Sequence, residues 1–329
     1  MRFSVLFHRE VIAKIPTNPS PHANLHPSGG GLAWGEVRAR RRQRRVKKLT
    51  DKVIVITGGS MGIGLEVAKQ CAAEGAKMVI AARNEECLKT ACSLLDEVSS
   101  GERFYYRLDI GNYQAVNSFA SWCRDKFGSV YGLVNCAGIY GPIGKTYKID
   151  IAKFAETIQI NFLGVVHMCH AFIPLMKSGT RKKIINYSGG GAATPFPNYS
   201  AYATSKIATV RFTENLSIEL ADESFDVNCI APGFVITRLH QDTLAAGSDC
   251  ATKTFYENTK KQMDNGGISA TIPAGLTVFL LSAASDGITG KFISAQWDPW
   301  REKAFQDRLR ADKDFATIRR IDDKTFFKK

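Results

Sequence analysis

From Asp51 onward, short apolar runs of strand length alternate with amphipathic stretches of helix length, and this alternation leaves few folds open to the chain. "KVIVIT" (52–57) precedes a helical spacing in "IGLEVAKQCAAEG" (63–75), and "KMVIAA" (77–82) precedes "EECLKTACSLLDEV" (85–98). "RFYYRLD" (103–109) leads to "YQAVNSFASWCRDKF" (113–127), and "VYGLVN" (130–135) leads to a helical stretch from about Ile151 to Met176. "KIINYS" (183–188), "AYATSKIATVRFTENLSIELA" (201–221) and "FDVNCIAP" (225–232) continue the series. Strands separated by helices pair in parallel, because the crossover between parallel neighbours needs a connection that a helix supplies. The strands are continuous apolar runs, as strands covered on both faces are. The expected fold class is therefore α/β, a single doubly wound parallel sheet with helices on both faces. Residues 238–267 break the rhythm with four basic and four acidic residues and no strand signal. Such an insertion near a strand's carboxyl end is either a lid over a substrate or a surface loop.

Composition adds limits at the ends of the chain. Of the net charge of +13, residues 1–48 contribute +9, from eleven Lys or Arg against Glu10 and Glu36. Their Pro, Gly and Arg content cannot build a core. This leader reads as a misassigned start with the true opening near Val46, as an organelle-targeting segment, or as a basic arm for nucleic acid or an anionic surface. The rest carries only +4, so nucleic acid is not the expected partner of the main domain, 49–297. No run reaches the roughly eighteen apolar residues of a membrane span, so none is expected. The eight cysteines form no Cys-x-x-Cys pair, which fits a reduced, cytoplasmic chain. Residues 298–329 are a charged extension whose "REKAFQDRLRADKDF" suits either an amphipathic helix docked on the same or a neighbouring subunit, or a solvated tail.

The first turn reads "TGGSMGIG" (57–64), with Gly58, Gly62 and Gly64 between a strand and a helix. Glycines there let the backbone approach a pyrophosphate, whose charge then rests at the helix N-terminus. With "NCAG" (135–138), Asn161 in "IQINFLG", "YATSK" (202–206) and "APGFVIT" (231–237), this turn resembles the short-chain dehydrogenase/reductase family over nearly all of 49–297. The resemblance implies a Rossmann-type oxidoreductase that acts on a small alcohol or carbonyl substrate with a nicotinamide cofactor and often assembles as a homo-oligomer. It assigns cofactor contacts to Gly58, Ser60, Gly62, Ile63, Gly64, Asp109, Asn135, Ala137, Gly138, Tyr202, Lys206, Pro232, Gly233 and Thr237. After the second strand, Ala82 stands where NAD-using members carry an acid, and Arg83 follows it. An arginine attracts the ribose 2′-phosphate that an acid repels, so NADP(H) is expected over NAD(H).

Tyr202 and Lys206 lie four residues apart on a helix and share a face. A tyrosine with a pKa near 10 is a poor catalyst at neutral pH. An ammonium beside it favours the phenolate, making Tyr202 the expected acid/base, with Lys206 tuning it. By resemblance, Asn161 anchors a water in a proton relay, and a serine thirteen residues before the tyrosine polarises the substrate oxygen. Counting back from Tyr202 reaches Gly189, and Ser188 is one residue early. The expected catalytic hydroxyl is still that of Ser188, re-aimed into the site by a longer loop in "GGGAATPF". The alternatives are that a backbone N–H of the glycine run or a water replaces it, or that the function is lost. His167 and His170 lack a third ligand, so no metal is expected. The alternative to an enzyme is a dinucleotide-binding scaffold or redox-responsive regulator that uses the basic arm.

Overall fold

The computed structural model describes residues 47–176 and 181–321. Apart from its last two positions, the 1–48 leader lies outside the described residues. The strands are β1 (Val53–Thr57), β2 (Lys77–Ala82), β3 (Arg103–Arg107), β4 (Gly132–Asn135), β5 (Lys182–Tyr187), β6 (Phe225–Ala231) and β7 (Phe292–Ser294). All pair in parallel, in the order β3-β2-β1-β4-β5-β6-β7. The helices are α1 (Gly62–Ala73), α2 (Glu85–Asp96), α3 (Tyr113–Phe127), α4 (Ile151–Ile158), α5 (Gly164–Met176), α6 (Ser200–Glu219), α7 (Arg238–Cys250), α8 (Lys253–Asp264), α9 (Thr271–Leu281) and α10 (Lys303–Ala311).

The two-residue period of a strand divides the core into two layers. Ile54 and Ile56 of β1, with Met78 and Ile80 of β2, pack with Val67, Leu88 and Leu280 of α1, α2 and α9. The alternate residues Val55 and Val79 face Phe119, Met168, Phe172 and Leu216 of α3, α5 and α6. Both faces are covered, which is why these strands read as unbroken apolar runs.

The stretch expected as one helix from Ile151 to Met176 is interrupted by a π turn at Gln159–Leu163, where the Gly164 N–H reaches the Gln159 carbonyl five residues back. Taken together, these 26 residues contain an 18-residue window of mean hydropathy 1.4 and are long and apolar enough to cross a membrane, where no span was expected. Met168, Cys169 and Phe172 are instead buried in the layer they share with α3 and α6, so the segment is part of the core.

The C-terminal extension docks on its own chain. Trp300 is buried and donates its indole N–H to the Ala295 carbonyl. Leu309 of α10 is buried in the same layer as α1 and α9. Lys291 is buried too, and its ammonium donates to the carbonyls of Asp312, Lys313 and Phe315 at 2.6, 3.1 and 3.1 Å. That ammonium ties the tail across the start of β7.

Candidate active site

A cavity of about 670 Å³ opens at the carboxyl ends of β1, β2 and β4. Strand order reverses between β1 and β4, and doubly wound sheets bind ligands at that crevice. Gly58, Ser60, Gly62, Ile63, Gly64, Arg83, Asp109, Ala137, Gly138 and Thr237 line it. Two glycines explain the shape of its floor. A Cβ on Gly64 would lie 2.2 Å from the Gly58 carbonyl oxygen, and one on Gly58 would lie 2.9 Å from Ala137 Cα. No side chain fits where the helix start meets the strand, so the backbone remains open to a bulky anion. Thr57 was not singled out in the sequence, yet its hydroxyl accepts from the Cys136 and Ala137 N–H groups and holds the second loop against the first. Only its place just before the glycines hints at this.

The other expected cofactor residues divide by position. Asp109 accepts the Gly111 N–H at 2.9 Å and sits on the cavity wall. Asn135 lies behind the wall and donates to Asn186 Oδ1 at 2.9 Å; its own Oδ1 is buried without a partner among the described residues. Pro232 and Gly233 do not line the cavity. Gly233 instead turns the chain at φ +84° toward Thr237, whose methyl group packs close over Gly62. Arg83 is exposed at the rim, and no carboxylate pairs with it among the described residues. The glycine cradle and the cavity size fit a dinucleotide.

Next to this cavity, α6 presents Tyr202 and Lys206, which are 7% and 4% exposed. The Lys206 ammonium donates to the Tyr187 carbonyl at 2.9 Å and lies 5.5 Å from the centre of the Tyr202 ring. The π turn aims Asn161 at the same place. Its Oδ1 accepts from Ile139 N at 2.9 Å, and its Nδ2 donates to the Ile139 carbonyl and to Ser205 Oγ. A Cβ on Gly138 would meet both Asn161 Oδ1 and Lys206 Nζ, at 3.3 and 3.4 Å, so the two groups converge on one backbone position. Burial dominates the electrostatics. It pushes the Tyr202 phenol well above its usual range and draws the Lys206 ammonium downward. In this state of the site the phenol holds its proton firmly, and no described residue hydrogen-bonds to its oxygen.

The expectation that Ser188 re-aims into the site does not hold. Its hydroxyl donates to the Lys206 carbonyl at 3.0 Å on the buried side of β5, and the side chain is 2% exposed. Strand alternation turns the next residue the other way. A Cβ on Gly189 would lie 2.2 Å from the Tyr202 hydroxyl oxygen. Gly189 thus occupies the serine position with no hydroxyl. The N–H groups of Gly189, Gly190 and Gly191 have no hydrogen-bond partner among the described residues.

The 238–267 segment forms α7 and α8, and these pack against the start of α6. Tyr199, fully buried, donates to Thr243 Oγ1 of α7, stacks on Phe196 at 4.3 Å and meets the Phe255 ring of α8 at 5.2 Å. Tyr140 stands edge-on to Tyr202 at 4.7 Å and faces His240 at 6.2 Å. Burial lowers the His240 imidazole to about 4, so it stays neutral. Tyr140, Phe196, His240 and Phe255 were not anticipated, because loops and polar segments carry no period that reveals an aromatic wall. His167 and His170 bond to the Ile110 carbonyl and the Tyr113 hydroxyl, respectively. Among the described residues no three His, Cys, Asp or Glu side chains gather as a metal site.

Comparison with known proteins agrees with this geometry. The family model for short chain dehydrogenases matches residues 52–246. The chain is 32% identical over 193 residues to 11-beta-hydroxysteroid dehydrogenase A of Sesamum indicum, a match covering 59% of this chain and 55% of that protein. The chain thus spans about half the length of that relative. It is 31% identical over 192 residues to 7alpha-hydroxysteroid dehydrogenase of Escherichia coli, covering 58% and 73% of the two chains. The structure of NAD+-bound xylitol dehydrogenase superposes with a TM-score of 0.70 at 26% identity, over 75% of this chain and 98% of that one. With its seven parallel strands, glycine turn and Tyr-x-x-x-Lys helix, the chain belongs to the short chain dehydrogenase family of oxidoreductases.

Proposed function

We propose that the protein interconverts a carbonyl and a secondary alcohol with NADP(H), and that Tyr202 is the acid/base. The observation that carries this reading is the Tyr202 hydroxyl, which stands on a buried side chain, has no hydrogen-bond partner among the described residues and lies near the Lys206 ammonium beside the glycine-lined cavity. The nicotinamide, when bound, supplies or accepts the hydride. Gly58, Gly62 and Gly64 would admit the pyrophosphate, Arg83 and Ser60 would hold the 2′-phosphate, and Thr237 would close over the cradle. Tyr202 keeps its proton in this buried setting, which suits donation to a carbonyl oxygen that gains charge during reduction. Lys206 steadies the phenolate left behind, and Asn161 fixes the loop at Gly138–Ile139 against α6.

The polarising donor is the backbone of the glycine run. Gly189 lies against the Tyr202 hydroxyl where relatives place a serine, the N–H groups of the run have no hydrogen-bond partner among the described residues, and fixed N–H dipoles aimed at a developing oxyanion serve the same purpose. Two of the sequence-based alternatives for this donor were a backbone N–H and a water, and the unpaired amides favour the first. The test is NADPH oxidation against a vicinal diketone, a steroid ketone and a keto sugar. Tyr202→Phe should lose at least 100-fold in turnover, while Ser188→Ala keeps it within about threefold. Retained turnover in Tyr202→Phe, or collapse in Ser188→Ala with the fold intact, would refute the assignment. Tight NADPH binding with no turnover on any carbonyl would favour the scaffold.

A further inference from the structure

The opposite end of the sheet holds a second concavity, of about 480 Å³, at the amino ends of β1, β2, β4 and β5. Four lysines line it, Lys52, Lys77, Lys126 and Lys182, together with Tyr131 and the carboxylates Asp51 and Glu102. Lys77 is already paired with Glu102 at 2.5 Å. That leaves three ammoniums against Asp51. Lys182 is the informative one, because it is only 8% exposed and its ammonium has no hydrogen bond or ion pair among the described residues. The carboxylates beneath it are committed elsewhere: Asp226 accepts from Arg181 and Lys183, and Asp286 from Lys183. Lys182 and Lys52 instead both approach the Tyr131 ring, at 5.9 and 4.5 Å from its centroid. Burial and the Lys52 charge both draw the Lys182 pKa down.

The Lys182 stem is buried while its head opens into the basin without a counter-ion among the described residues, and an ammonium held beside a second ammonium is unfavourable through like-charge repulsion. Both stay in the basin, and its volume lies within the range of small-molecule sites. We propose that this basin binds a small, multiply charged phosphate-bearing anion of the pyrophosphate or sugar-phosphate kind, at the end of the sheet opposite the nicotinamide cavity. Two or more negative charges on the ligand match the excess left after Asp51. Lys182 contributes the least hydrated contact, and Lys52 and Lys126 close the sides.

The experiment is calorimetric titration of the full chain with inorganic pyrophosphate at low ionic strength, with citrate as the carboxylate comparison and NADPH saturating the cofactor cavity. Saturable pyrophosphate binding is expected, weakened at least tenfold in Lys182→Gln and in Lys52→Gln and unchanged in Arg83→Gln. The exposed Lys126→Glu leaves the core untouched and should weaken binding as strongly, which keeps the test decisive if Lys182→Gln does not fold. Citrate binding tighter than pyrophosphate would overturn the phosphate assignment. Equal affinity in the wild type and all three lysine variants would place the anion on the basic leader or elsewhere and overturn the site, as would no saturable binding.

Discussion

Replacing Gly189 with alanine puts a methyl carbon where the Tyr202 hydroxyl now sits, with 2.2 Å between them. Ordinary contact begins near 3.4 Å, so the phenol must retreat by about 1 Å or the loop must lift. The Gly189 φ lies outside the left-handed region, so the backbone itself accepts alanine and the cost is steric. Overpacking of this kind costs about 1–3 kcal/mol. In a domain of this size that lowers Tm by roughly 2–4 °C per kcal/mol. Displacing the acid by about 1 Å should also cost on the order of 100-fold in turnover.

The clash is with the hydroxyl, and that gives a test independent of any substrate. Once Tyr202→Phe removes the oxygen, the nearest atom to the new methyl is Cζ at 3.2 Å, a gap that a few tenths of an ångström repair. A double-mutant cycle on Gly189→Ala and Tyr202→Phe, read by chemical denaturation, should show a coupling of about 1–2 kcal/mol, with the alanine nearly harmless in the phenylalanine background. Gly190→Ala is the internal control. Its Cβ would meet nothing nearer than Phe196 at 3.8 Å, so its effect should stay within about 0.5 kcal/mol. If Gly189→Ala costs the same with and without the hydroxyl, Gly189 does not face Tyr202 and the account of the missing serine is wrong.

Other perturbations test separate parts of the molecule. Lys291→Met leaves three carbonyls of the tail without their ammonium, and should cost about 3 kcal/mol and expose 303–321 to limited proteolysis; an unchanged cleavage rate would refute the clamp. Arg83→Gln should weaken NADPH binding about tenfold or more and leave NADH binding nearly unchanged, as read by cofactor fluorescence; an equal loss for both would remove Arg83 from the 2′-phosphate. His240 is buried neutral with its pKa lowered to about 4, while its unfolded value lies near 6.5. Between these values the unfolded chain binds the extra proton, so stability from this site is full above pH 6.5 and falls as pH drops toward 4. His240→Gln should remove up to about 3 kcal/mol of that acid sensitivity, and parallel Tm–pH curves for the two proteins would contradict it.

What was legible in the sequence follows from what is local. The β1 and β2 runs were legible as strands buried on both faces because they are unbroken and apolar, and the glycine turn announced itself because Gly58 and Gly64 admit no other residue. The i, i+4 spacing of Tyr202 and Lys206 required only a helix. The π turn at Asn161 was not legible, because one extra residue in a hydrogen-bond ring leaves the apolar pattern of 151–176 intact. The α7–α8 segment was readable only as an interruption, since Tyr199, Thr243 and Phe255 meet through tertiary packing.

Ser188 is the most instructive case, because counting back thirteen residues landed correctly on Gly189, and the allowance for a longer loop misled. Strand alternation alone required Ser188 to face the sheet packing, and the structure keeps that alternation to the end of β5. A glycine in the serine position removes one donor, but it also lets the chain pass so close to the phenol that no Cβ fits between Gly189 and the Tyr202 hydroxyl. A side-chain hydroxyl has to be held in one rotamer to polarise a substrate, whereas a backbone N–H is held by the peptide plane itself. On that argument the substitution exchanges the source of the hydrogen bond and retains its purpose, and the Gly189→Ala cycle separates this from simple loss of function.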